Sequence, residues 1–144
     1  MSFAYLENIY APVEGERTDT GLQIEGELPS DINGAFVQNN PNPVHPPQGL
    51  YHWFDGDGMV HGVQLAGGQA TYRNRYVRTR AMQAEKEAGH PLWRGILEPV
   101  DFGNAMGPDK DTANTDLVVH RGKLMALWWL SGQPYELDPV SLDT

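Results

Sequence analysis

The stretch Tyr51–Tyr76, YHWFDGDGMVHGVQLAGGQATYRNRY, decides the fold class. Met59, His61, Val63 and Leu65 alternate with the residues between them and so share one face of a strand. Gly67-Gly68 supplies the positive φ that a two-residue hairpin turn requires, and Ala70, Tyr72, Asn74 and Tyr76 return on the partner strand. Just upstream, Tyr51 to Phe54 is expected as a further strand, ending in a tight turn at Asp55-Gly56-Asp57-Gly58. Such a succession is a meander, and the chain reads as all-β, with short strands and hairpins.

Working outward, Leu22-Gln23-Ile24-Glu25 alternates apolar and polar residues as a half-buried strand does, and Ala35-Phe36-Val37 follows after turn residues from Gly26 to Gly34. The segment from Asn39 to Gln48, NNPNPVHPPQ, is rich in proline and asparagine and predicts an ordered loop. On the other side, Arg78 to Ala88 holds good helix formers and stops at Gly89, which predicts one short, exposed connecting helix. Residues 91–115 are loop-rich. Asp116 to Val119 and Leu124 to Leu130 predict a hairpin about Arg121-Gly122. The second of these strands is apolar on both faces, as a strand between neighbouring sheets would be. Pro134 to Leu137 begins another. Residues 1–20 are polar and read as an N-terminal arm, leaving 21–144 as the body of the domain. No clean internal repeat is visible, and periodicity alone leaves propeller, sandwich and barrel open.

Composition narrows the function classes. The chain has 144 residues, with 19 acidic against 10 basic residues and a formal charge of −9, so it repels phosphate backbones and nucleic acid is not an expected partner. With Cys 0, thiolate metal sites and disulfides are excluded, while Gly 16 and Pro 11 favour turns over long helices. Met1 to Tyr10 includes Glu7 and no basic run before an apolar one, so it does not read as a signal peptide. No apolar stretch reaches membrane-spanning length. The cytoplasm is the expected compartment, with peripheral membrane association open to a full-length protein.

Candidate chemistry is sparse when residues are read one by one. Among the five histidines, His52 and His61 flank a turn, but each is explained by packing within a hairpin; His45 and His90 precede prolines, and His120 sits at a turn. Asp55 and Asp57 with Gly58 resemble the start of a calcium loop, yet Ala66 stands where the bidentate carboxylate should be. Asp101, Asp109 and Asp111 are not brought together by any sequence pattern, and no phosphate loop, nucleophile elbow or zincin motif occurs. Trp53, Trp93, Trp128 and Trp129 suit either a core or the wall of an apolar channel.

Taken in order, however, the motifs resemble one family. Tyr51 to Thr79 resembles the N-terminal signature of the carotenoid cleavage oxygenases. Glu25 to Pro29 and Gly34 to Pro43 (GAFVQNNPNP) are similar to segments upstream of it, and Thr112 to Thr115, His120 to Leu124 and Pro134 to Thr144 to the block downstream. The resemblance implies a seven-bladed β-propeller with Fe(II) on its axis, held by four histidines. The implied reaction is oxidative cleavage by O2 of a carbon–carbon double bond in a carotenoid, apocarotenoid or stilbene. Imidazole nitrogens suit Fe(II), and an open coordination position admits O2.

The resemblance also implies what this span lacks. None of its five histidines matches an iron ligand, so no metal residue is expected here, and the span reads as the N-terminal blades of a propeller cut before those ligands. Alone it is expected to be inactive. Gln38 and Asn40 replace the arginine and glycine of the family's R-N-G-P-N-P segment. Trp129 stands where the family has a glutamate that resembles a partner of an iron-bound histidine, a loss worth ~10 to 100-fold in affinity or activity. Lignostilbene-cleaving relatives resemble one another in a tyrosine and a lysine that grip a phenol, at positions matching Ile96 and Trp128. Both are apolar here, so Phe54, Ile96 and Trp128 are expected to line a site for an apolar carotenoid or apocarotenoid. The alternative is a non-catalytic, propeller-derived binding module. Unpaired strand edges predict self-association in either case.

Overall fold

A computed structural model describes residues 4–144; the first three residues of the expected arm lie outside it. Seven strands form two antiparallel sheets: β1 (Arg17–Thr20), β2 (Gly34–Pro41), β3 (Gly58–Ala66) and β4 (Gln69–Tyr76) in the order β1-β4-β3-β2, then β5 (Asp116–His120), β6 (Lys123–Leu127) and β7 (Tyr135–Leu137) in chain order. One helix, α1 (Arg80–Ala88), leads out of the first sheet. The strands do not close into a barrel.

The β3–β4 hairpin forms as its sequence dictates. Gly67 and Gly68 both take positive φ, 57° and 74°, and the register pairs Met59 with Tyr76 and Leu65 with Ala70. The same device joins β5 to β6, where Arg121 and Gly122 have φ of 49° and 77°. Helix α1 begins where the Thr79 hydroxyl accepts from the Met82 amide at 3.0 Å and ends where Gly89 adopts φ 76°. It is not merely exposed: Ala81, Met82 and Glu85 are buried.

Five local expectations are corrected. Leu22 to Glu25 is not a strand; Arg17–Thr20 pairs with β4 instead, and Asn74 fixes that edge by accepting from Arg17 N at 2.7 Å and donating to the Gly15 carbonyl at 2.9 Å. Tyr51 to Phe54 is not a strand either: Trp53–Asp55 forms a 3-10 turn. There the His52 ring accepts from Phe54 N and Asp55 Oδ2 accepts from His52 N, local bonds that outcompete a sheet ladder. Asp55 to Gly58 therefore makes no hairpin turn. Its glycines answer crowding instead, since a Cβ on Gly56 would lie 2.9 Å from Asn42 N and one on Gly58 2.5 Å from the Ala113 carbonyl oxygen. Finally, the strand at Leu124 stops at Leu127, and β2 continues through Asn39 to Pro41 into what reads as loop.

The core lies between the sheets. Val60 and Val77 from the first sheet side meet Leu124, Ala126 and Leu137 of the second, joined by Ala113 and Leu142, with Val37, Leu117 and Tyr135 packed around them. Each fully buried Leu or Val side chain contributes about 1.5–3 kcal/mol relative to exposure. Asn39 stitches β2 to β5 by donating to the carbonyls of Ala113 and Asp116.

Candidate functional site

A cavity of about 360 Å³ opens beside the 3-10 turn, bounded by the loop of residues 91–112 and by the segment after β6. Phe54, Ile96 and the adjacent Trp128 and Trp129, from three separate stretches of the chain, all stand on its wall. Phe54 and Trp129 have ring centroids 5.9 Å apart, and Trp128 and Trp129 meet edge to face at 6.3 Å. Trp93 is also on the wall, its indole donating to the Gly107 carbonyl at 3.0 Å. Trp53 is engaged elsewhere, stacked on Tyr5 at 5.7 Å and edge-on to Tyr10 at 4.8 Å.

Local polar groups hold this wall in place. Asn114, buried, donates through Nδ2 to the Phe54 carbonyl at 2.9 Å and the Gly56 carbonyl at 2.6 Å. Asp55 reaches from the 3-10 turn to accept from Ile96 N at 2.9 Å, and Gly95 lets the two segments approach, because a Cβ there would lie 2.5 Å from Asp55 Oδ2. Glu98 accepts from Leu50 N at 2.7 Å across the mouth. The Trp128 indole N–H is buried without a hydrogen-bond partner.

Glu85 and Lys110 also line the cavity, a charged feature that sequence reasoning missed. Lys110 Nζ lies 2.8 Å from Asp57 Oδ1 and donates to Glu85 Oε2 at 2.7 Å, and both carboxylates are buried. Burial opposes the charge on Lys110, but the two carboxylates override it and hold the ammonium above its ordinary range. His45 approaches the same corner, its Nε2 3.1 Å from the Glu85 carbonyl. A lysine in a GPDKDTANT loop carries no signal that would pair it with a helix and a turn elsewhere.

The histidines do not converge. His52 caps the 3-10 turn, His61 bonds the Tyr72 hydroxyl at 2.7 Å, His90 approaches its neighbour's carbonyl and His120 lies at the end of β5. Among the described residues no group of three or more His, Cys, Asp or Glu could hold a metal ion, so this span does not fit a metal centre and no step is assigned to one held here. Nor is any described helix long and apolar enough to cross a membrane.

Comparison with known proteins gives the arrangement its context. A carotenoid cleavage oxygenase of Mycobacterium tuberculosis is 42% identical over 146 residues, covering 97% of this chain, and a carotenoid 9,10(9',10')-cleavage dioxygenase of Crocus sativus is 38% identical over 144 residues, covering 85%. The chain spans 26% of the length of each of these curated relatives. Among solved structures, the lignostilbene dioxygenase of Pseudomonas brassicacearum superposes with a TM-score of 0.88 at 34% identity, covering 99% of this chain and 30% of that one. A cobalt-substituted apocarotenoid oxygenase of Synechocystis gives 0.77 at 31% identity, covering 92% and 29%. The family profile described as retinal pigment epithelial membrane protein matches residues 10–144, and the chain belongs to that family, the carotenoid oxygenases.

Proposed function

We propose that this chain forms N-terminal blades of a propeller dioxygenase that cleaves a C=C bond of a carotenoid or apocarotenoid, and that its cavity is part of the wall along which the polyene lies. The observation that carries this reading is the gathering of Phe54, Ile96, Trp128 and Trp129 on one cavity. Aromatic and aliphatic walls suit a long apolar ligand, and excluding water around it strengthens the polar interactions that remain. Fe(II), which supplies O2 activation in this reading, is held by other parts of the polypeptide, so this span orients substrate and does not catalyse alone. The outer strands of the two sheets, β1 and β2, β5 and β7, are the edges on which further strands or another copy would pair. The domain proper runs from residue 21, with 1–20 as an arm that lends β1 to it.

Likeness to a lignostilbene dioxygenase supports a second substrate reading, a phenolic stilbene. Ile96 and Trp128 weigh against it, since neither offers a phenol the charged or hydroxyl partner it requires. The exposed Trp129, 54% accessible, instead supports a third reading, a non-catalytic ligand-binding module. One experiment separates them. The full-length protein, loaded with Fe(II) and exposed to O2, is given an apocarotenal or a hydroxylated stilbene, and products are resolved by chromatography. Two carbonyl fragments from the apocarotenal are expected; cleavage of the stilbene alone, or binding without turnover, replaces the first reading by the second or third.

A further inference from the structure

The apolar reading leaves the cluster of Asp57, Glu85 and Lys110 without a use. Three charges are withdrawn from water where apolar side chains would have packed at less cost, a pattern that asks for a reason. The cluster is held from several sides: Asp57 Oδ2 accepts from Val44 N at 3.0 Å, and Glu85 Oε1 accepts from Leu92 N at 2.9 Å. Lys110 retains 14% of its side chain exposed against 2% for each carboxylate, and both Lys110 and Glu85 line the cavity. An ammonium has three N–H donors; Glu85 takes one in a hydrogen bond and Asp57 contributes an ion-pair contact, which leaves donor capacity for a ligand. Two carboxylates against one ammonium also leave the corner formally negative.

We propose that Lys110 recognises the oxygenated end of the ligand, its remaining N–H donating to a neutral carbonyl or hydroxyl oxygen while the apolar body lies along Ile96, Phe54 and Trp128. This rests on the cavity being a polyene site. Asp57 and Glu85 hold the ammonium in one place, so no side-chain freedom is lost when ligand binds. They also make the corner selective: a terminal carboxylate meets net negative charge in a poorly hydrated setting, whereas an aldehyde or alcohol does not. Lys110 is thereby a specificity residue that discriminates by terminal group and not by chain length.

The test uses the full-length protein without O2 and three probes matched in length: an apocarotenal, its hydrocarbon analogue and its carboxylic acid, with affinity read from tryptophan quenching. The aldehyde is expected to bind about tenfold more tightly than the hydrocarbon, as one bond to a charged donor allows, and the acid more weakly than the aldehyde. Glu85→Gln, whose single amide oxygen keeps one of the two acceptors and which removes the corner's net negative charge, is expected to raise affinity for the acid several-fold with the hydrocarbon unmoved. Neutralising all three (Asp57→Asn, Glu85→Gln, Lys110→Met) is expected to erase the aldehyde's advantage; if that variant does not fold, Glu85→Gln decides. Equal binding of aldehyde and hydrocarbon by the natural protein, or an unmoved acid-to-aldehyde ratio in Glu85→Gln, overturns the proposal. Binding of none of the three probes overturns the polyene reading of the cavity itself.

Discussion

Asp55 Oδ1 accepts from the Ile96 amide at 2.9 Å while Oδ2 accepts from His52 N at 2.8 Å, so one carboxylate ties the 3-10 turn carrying Phe54 to the loop carrying Ile96. Asp55→Ala removes both bonds and leaves two amides to find water. A loss of about 2 kcal/mol is expected from hydrogen bonds to a charged acceptor, measured by urea denaturation. Asp55→Asn preserves one acceptor and is expected to lose about half as much. Equal stability of the alanine variant and the natural protein would show that the two segments are held by other contacts.

Gly58 is needed for space and not for a turn. Its backbone donates to the Thr112 carbonyl at 2.8 Å, and an added Cβ would stand 2.5 Å from the Ala113 oxygen and 2.8 Å from that of Thr112. Backbone cannot yield as a flexible side chain does, so Gly58→Ala is expected to destabilise by about 1–3 kcal/mol, seen as a melting temperature lower by several degrees. Gly122→Ala is the control: nothing lies within 4 Å of its Cβ, and its φ of 77° alone costs about 1 kcal/mol. An order of effect reversed between the two would refute the crowding argument.

These positions also mark how far the sequence could be read. Gly67-Gly68, Thr79 and Gly89 act on their immediate neighbours, so the β3–β4 hairpin and α1 follow from local rules. Asp55 to Gly58 has the composition of a hairpin turn, but its bonds run to Ile96, Asn42 and Thr112, partners that no local window contains. Leu22 to Glu25 alternates correctly and still loses the place beside β4 to Arg17–Thr20, because the Asn74 side chain captures the earlier segment. The aromatic side of the cavity was reached through family resemblance; its charged side was not, since Glu85 and Lys110 are 25 residues apart and meet only when α1 folds back over the loop.

His61 makes stability depend on pH. Burial, and secondarily the Arg17 guanidinium, hold its imidazole below the ordinary 6.5, while Arg17 also stacks 5.1 Å from the centroid of Tyr72, the partner of His61. As pH falls below 6.5 the unfolded chain takes up a proton that the folded chain resists, so stability declines from that point until the folded imidazole titrates too. Denaturation midpoints at pH 7.5, 6.5, 5.5 and 5.0 are expected to fall by more in the natural protein than in His61→Gln. Parallel curves for the two would exclude His61 as the source.

Substrate choice offers the sharpest check on the cavity, because on the function proposed above Ile96 and Trp128 line it and offer a phenol neither a hydroxyl nor an ammonium. Trp128 is the more replaceable, since its indole N–H has no hydrogen-bond partner to lose. Ile96 is 37% exposed, so a tyrosine there can keep its hydroxyl hydrated until ligand arrives. In the full-length enzyme, Ile96→Tyr with Trp128→Lys is expected to shift kcat/KM toward a hydroxylated stilbene over an apocarotenal by at least about tenfold, the effect of one buried, charge-assisted hydrogen bond to the phenol. A non-hydroxylated stilbene should gain nothing, which separates phenol recognition from a mere change of shape. If the preference stays fixed in a folded double variant, these two side chains do not face the substrate, and the apolar wall must be sought elsewhere in the molecule.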